Sequence, residues 1–371
     1  MRSLPRRTDS SPIALAQRRS KGTRARLLLA ASALVALLAG IAAVLAMSRR
    51  EDERALPALL VCLTAVAVGV GLAARRRPYI AFIAPAFVIY TGMVIYPAIE
   101  AFRYSLYNWS GIGEPTDFIG FQNYVDIFSN GDFPNALGNN VQLFLAMLVM
   151  QNVIALPVAL ALDTRPRFHE AYRAILFLPV IMSLVATGYI WHIIFAPTVG
   201  MLNPLLEAFG LVNLERDWLS DPVVTFKVII LVQAWQYMGL PIVLYLAGLQ
   251  AIPHELKEAA RIDGANDWQV FRAIVFPLLA PAFTIVTTAT FITMFRVFDI
   301  PFILGGPGGA PQGTTDVVSL VIYRQAFGIS SVVRTVISQG LAVAGGVVLF
   351  LFLLIAVSVQ VVLLRRREVS L

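Results

Sequence analysis

Residues 251–281 read AIPHELKEAARIDGANDWQVFRAIVFPLLAP, and the fold turns on how this stretch is read. Pro253 suits the first turn of a helix, where its missing N–H is no loss. His254 through Ile262 are mostly strong helix formers. Asp263-Gly264 then stops the helix, because glycine enters the left-handed C-cap conformation freely. Asp267 is placed to N-cap a second short helix running through Phe276, and Pro277 and Pro281 mark a change of environment. The reading is a helix-turn-helix whose small apolar side, Leu256, Ala259, Ala260 and Ile262, can seat deeply in a groove of another protein.

On either side of this elbow the chain is too apolar for a soluble domain. Of 371 residues 58% are hydrophobic and 14% charged, against about 25% charged in soluble proteins, and the mean hydropathy is +0.75. A hydrocarbon layer takes roughly 20 apolar residues in a helix. Eight segments qualify: 27–47, 55–74, 79–100, 141–162, 174–195, 225–250, 281–304 and 337–364. They lack the polar face that a 3.6-residue period would give a soluble helix. The fold class is therefore an all-α membrane protein of about eight transmembrane helices. Segment 27–47 is too long for a signal-peptide core and lacks a good cleavage site, so it reads as a retained helix.

Lys and Arg placement orients the bundle. Residues 1–26, Arg75–Arg77, Arg165 to Arg173, the 251–280 loop and Arg365–Arg367 carry most of the 29 basic residues. Both termini are then cytoplasmic, 251–280 is the one long inner loop, and the long outer loops are 101–140, 196–224 and 305–336. The basic pI near 9.7 comes from these flanks, which argues against nucleic-acid binding. Residues 1–26 read as a disordered tail and residues 365–371 as a short cytoplasmic end. Cys62 is alone and cannot form an intrachain disulfide, and the three histidines are scattered, so metal ligation is not expected.

Polar groups inside such helices are costly unless used or paired. In the sixth segment Gln233, Gln236, Tyr237 and Leu240 recur at helical spacing; amides and rings suit a neutral polyol, while interhelical hydrogen bonding is the plainer alternative. Thr290, Thr293 and Met294 are the matching candidates in the seventh. Arg296 and Asp299, three apart, are expected to pair on one helix face. Trp109, Trp191 and Trp218 read as interfacial anchors. There is no GxxxxGK[ST] phosphate loop, so energy must arrive from a partner. Neither HExxH nor GxSxG lies on these helices, which leaves little for an intramembrane enzyme. An ATP-independent secondary transporter is the other alternative, although helix centres nearly free of acids disfavour it.

Glu258, Ala259 and Ala260, then Asp263, Gly264 and Ala265, then Phe271, Ile274, Pro277 and Pro281 resemble the EAA loop of type I ABC importer permeases. Tyr96-Pro97, Phe118 to Tyr124, Phe177-Leu178-Pro179, Trp218, Asp221-Pro222, Phe298-Asp299 and Gly305 to Gly309 resemble the carbohydrate-uptake, maltose-permease-like subfamily. The resemblance covers roughly residues 79–364. It implies a six-helix permease core, with 27–78 an added N-terminal helix pair. It also implies that Glu258, Ala259, Ala260, Asp263, Gly264 and Ala265 couple to an ABC ATPase dimer, which would carry the ATP and magnesium. The implied partners are a homologous second permease, an extracellular or periplasmic solute-binding protein and the lipid bilayer. By the same resemblance the Gln233–Leu240 face overlaps the family's sugar-contacting positions. The chain departs from the larger maltose permease in lacking its big inserted extracellular domain.

Overall fold

The computed structural model describes residues 86–87, 90–164, 169–328 and 338–365. The segments expected at 27–47 and 55–74, the tail 1–26 and Cys62 lie outside the described residues. The chain divides into two units, Met1–Glu100 and Ala101–Leu371. In the first lies a π-helical turn, Thr91–Ile95, and α1, Tyr96–Tyr104, runs across the division.

In the second unit an outer hairpin follows α1. Tyr107 and Phe118 form an isolated antiparallel bridge. Buried Asn123 ties the hairpin down by donating to the carbonyls of Ser105 (2.8 Å) and Tyr107 (2.9 Å). Then come α2, Gln122–Ser129, and α3, Asp132–Met150. A π-helical turn, Gln151–Ala155, joins α3 to α4, Leu156–Thr164, so that Asp132–Thr164 is one span, longer at its N-terminal end than the apolar run starting near 141 suggests. It shows Leu145, Val149 and Val153 on its outside, each more than half exposed. An uncovered apolar stripe at four-residue spacing is what hydrocarbon solvates and water does not.

The next three spans are broken. α5, His169–Ile181, and α6, Leu184–Phe195, meet at 94°, where 174–195 reads as one helix in sequence. Pro179 within α5 removes a backbone N–H, and Ser183 is extended at φ −58°, ψ 132°. α7, Thr225–Tyr237, and α8, Gly239–Gln250, differ by 44°. The elbow follows as α9, His254–Ile262, and α10, Asp267–Val270, continued by a π-helical turn, Phe271–Val275. Residues Asp267–Leu278 then bend by 61° into α11, Ala280–Phe295. The seventh segment does not run straight on to 304: the chain breaks at Arg296 to Phe298, and Asp299–Gly305 forms the separate helix α12. After a compact loop come α13, Val318–Phe327, and the last span, α14, Gln339–Arg365.

Four apolar clusters stack through the bundle. The inner one joins α4, α8, the elbow and α11 through Ala159, Tyr245, Leu249, Val270, Val275 and Val286. The next joins α3, α7, α11 and α13 through Met147, Ala234, Met294 and Leu320. A third holds α2, α3, α13 and α14 together through Ile127, Phe133, Val321 and Ala344. The fourth packs α6, α7 and α12 through Phe195, Ile229 and Ile300. Polar contacts pin these layers. Asn140 donates to the Met294 carbonyl (2.6 Å) and accepts from the Val318 N–H (2.9 Å). Asn139 donates to the Asp316 carbonyl (2.9 Å). Asp316, at the end of the 306–317 loop, and Arg324 of α13 form a buried two-pronged ion pair. Burial pushes the Asp316 carboxyl up, and the Arg324 guanidinium pulls against that shift.

Gly239, just after the α7–α8 break, lets α8 lie on α5. A Cβ there would meet the Phe177 Cα at 2.9 Å as well as the Leu176 carbonyl. Neither is a side chain able to rotate away. Gly239→Ala is expected to destabilise the protein by about 1–3 kcal/mol, the usual range for overpacking, and thermal unfolding in detergent would measure it.

Candidate functional site

The breaks place polar groups around a cavity of about 210 Å³. Gln233 and Tyr237 reach it from α7, Thr293 from α11, Arg296 from the α11–α12 break, Asp299 from α12 and Leu184 from the start of α6. Gln233 is completely buried, and neither its amide nitrogen nor its amide oxygen has a hydrogen-bond partner. Such a group in an apolar protein is penalised unless something arrives to bond it.

Arg296 and Asp299 do not form the ion pair their spacing suggests. They belong to different elements, Arg296 capping α11 and Asp299 opening α12. Both line the cavity, which therefore carries one cation and one anion. A guanidinium, a carboxylate, an amide, a phenol and a hydroxyl together offer many donors and acceptors with no net charge.

A narrower space of about 20 Å³ adjoins the same elements. Leu240, Thr290 and Met294 line it, and Tyr237 and Thr293 border both spaces. The Thr290 hydroxyl donates to Gln151 Oε1 at 2.6 Å. Gln151 opens the π-helical turn of the long span, and at the next residue Asn152 Oδ1 accepts from the Tyr245 hydroxyl at 2.8 Å. Met294 is fully buried in the core.

Gln236 points elsewhere. Neighbouring helical residues diverge by about 100°, so Gln236 cannot share the direction of Tyr237. It faces the broken helix, where its amide donates to the carbonyls of Pro179 (2.5 Å) and Met182 (3.2 Å). Its oxygen accepts from the Thr187 hydroxyl at 2.6 Å. The Pro179 carbonyl also accepts from the Met182 N–H at 3.2 Å, so it is the Met182 carbonyl, where α5 stops and α6 begins, that depends on the glutamine.

The elbow is the second site. α9 closes with a paired cap: the Ala265 N–H donates to the Ala260 carbonyl and the Gly264 N–H to that of Arg261, at 2.9 and 3.1 Å. Gly264 takes φ +87° with open space around it, so its requirement is conformational. The cap of α10 is Asn266 and not Asp267, since Asn266 and Gln269 bond each other's backbone reciprocally in a capping box. Ala260 and Ala265 pack on the inner core. Glu258, Ala259 and Asp263 are exposed, and so are Ile262 (86%) and Trp268 (65%). The elbow thus has an anchored side and an open side. Trp218, read as an anchor, donates to Asn203 at 2.8 Å, while the Trp191 indole N–H is buried without a partner.

The family described as binding-protein-dependent transport system inner membrane component matches residues 133–369. A probable starch degradation products transport system permease protein, AmyD, of Thermoanaerobacterium thermosulfurigenes is 33% identical over 79% of this chain and 95% of its own. A multiple sugar-binding transport system permease protein, MsmF, of Streptococcus mutans is 31% identical over 74% of this chain and 90% of its own. Among solved structures, a chain of a bacterial alginate ABC transporter in complex with alginate pentasaccharide-bound periplasmic protein shares the fold. Its TM-score is 0.64 at 21% identity, covering 81% of this chain and 98% of that one.

The two glutamines of α7 should separate in a stability measurement. Gln236→Leu removes the donor to the Met182 carbonyl and the acceptor of the Thr187 hydroxyl and is expected to destabilise by about 1–3 kcal/mol. Gln233→Leu removes an amide without a partner and should leave the unfolding temperature in detergent unchanged or slightly raised.

Proposed function

Because the chain belongs to the family of binding-protein-dependent transport system inner membrane components, we propose that it carries a sugar or sugar-like solute and draws its energy through the α9–α10 elbow. The protein is a membrane permease subunit of an ABC importer and not an enzyme. Residues 79–364 form the permease core in this reading, residues 27–78 an added helix pair, and both termini are cytoplasmic, as the Lys and Arg placement favours. ATP and magnesium belong to a partner ATPase dimer. A second permease completes the path, and a receptor outside the membrane delivers the solute.

The open side of the elbow carries this reading. Ile262 and Trp268 are large apolar side chains left uncovered on a segment whose other side is packed on the core. Glu258, Ala259, Asp263 and Gly264 lie with them on the exposed surface, where the small alanine lets a partner groove approach closely. ATP-driven closure of two ATPase subunits would push on this surface and rock the core between inward- and outward-open states. The unbonded Gln233 amide supports the solute class. With Tyr237, Thr293, Arg296 and Asp299 it offers a charge-balanced set of donors and acceptors, suited to the hydroxyls of a neutral sugar. Leu240, Thr290 and Met294 would form the lower wall of that path, and Gln236 would hold its shape.

Gly264→Val puts a β-branched residue at φ +87°, at a strain of about 1–3 kcal/mol. The wild-type chain is expected to co-purify with its ATPase, with hydrolysis stimulated by loaded receptor. Gly264→Val should lose that stimulation and uptake while remaining in the membrane. Uptake by this variant at the wild-type rate, or uptake by the purified chain with no ATPase present, would overturn the coupling reading. Gln233→Leu should reduce uptake with stimulation of the ATPase retained.

A further inference from the structure

The anchored side of the elbow holds a charged contact. Asp163, at the inner end of α4, meets Lys257, in the middle of α9, at 3.5 Å. Their side chains are 19% and 15% exposed. The neighbouring pair Arg261–Asp267 lies at 3.0 Å but is 60% and 88% exposed, and ion pairs as open as that contribute little. Removing one partner of a withdrawn pair strands the other charge away from water.

The rest of the α9 anchorage is slight. Within α9 Ala260, one turn beyond Lys257, packs on the inner core, with Ile252 just before the helix and Ala265 just after it. Methyl contacts resist separation but allow sliding and rotation. The Asp163–Lys257 contact is directional, and it grips the unbent span. That span is bonded at three other levels: Asn152 to Tyr245, Gln151 to Thr290, and Asn139 and Asn140 to the outer loop and the end of α11. We propose that Asp163 and Lys257 are positioning residues for coupled uptake, which lock α9 to the long span so that a push on the elbow is delivered to the outer loop. The proposal rests on the reading that an ATPase docks on α9.

The test uses the assembled importer in lipid vesicles, with its second permease and ATPase, in a Cys62→Ser background carrying Ala310→Cys in the outer loop. A membrane-impermeant maleimide reads the loop with and without ATP plus vanadate. The wild-type pair should show a nucleotide-dependent change in labelling rate. Asp163→Asn and Lys257→Met should shrink that change about five-fold or more, the lower end of the range for coupled sites, while the ATPase co-purifies at wild-type stoichiometry. Lys257→Arg should keep the change, and the exchange Asp163→Lys with Lys257→Asp should restore part of it. The proposal is overturned if both single variants keep the full change, or if the wild-type loop shows none. Loss of the ATPase from the single variants, unrepaired by the exchange, would also overturn it, as a fold contact rather than a transmitting one. An ATPase that fails to assemble even on the wild-type chain would bring down the docking reading first, and this proposal with it.

Discussion

Inside hydrocarbon there is no water to take up a free carbonyl, and this constraint shapes the protein more than any other. A straight helix meets it automatically. This chain bends three of its spans, by 94°, 44° and 61°, and each bend interrupts a backbone ladder. At the sharpest one Gln236 supplies the missing donor to the Met182 carbonyl, adds a second to that of Pro179 and is itself held by Thr187. α7 therefore stabilises a break in its neighbour. The cavity beside it exists because helices end there: Leu184 opens α6, Arg296 closes α11, and Asp299 opens α12.

Bent and unbent spans divide the work. Asp132–Thr164 and Gln339–Leu364 run without a break, and the first of them bonds to its neighbours near both of its ends and in between. The bent spans gather around the cavity, where the shape must change if a solute is to pass. π-helical turns occur at Gln151–Ala155 and Phe271–Val275. Such turns are frequent at functional positions because they rotate side chains out of register. Here the first presents Gln151 and Asn152 to α11 and α8.

Much of this was legible in the sequence because it follows from local rules. The limits of α9 were readable from Pro253 at one end and Asp263-Gly264 at the other, and each of the five spans found among the described residues overlaps a long apolar run, although the one expected at 281–304 starts in the elbow and stops at Phe295. What escaped depends on distant partners. Nothing local distinguishes Gln236, bonded to the broken helix, from Gln233, which is not bonded at all. The break at Arg296 to Phe298 contains no proline or glycine, so the run 281–304 reads as continuous. Asp267 and Asn266 are both good caps, and Gln269, three residues after Asn266, decides between them. The Asp316–Arg324 pair joins the end of a loop rich in glycine and proline to helix α13, and no periodicity runs across that junction to place the two side chains together.

The contacts of Asn140 join residues 154 and 178 positions apart in the chain. Synthesis meets them in the wrong order: the asparagine enters the bilayer early, and its partners emerge only after several further helices have been made. Until then Asn139 and Asn140 lack these partners, and this end of the span is not yet tied to α11 and α13. The nascent chain therefore carries a marker of incompleteness that is erased only when α11 and α13 arrive. A cell could use that exposed polarity to tell a finished permease from an unfinished one.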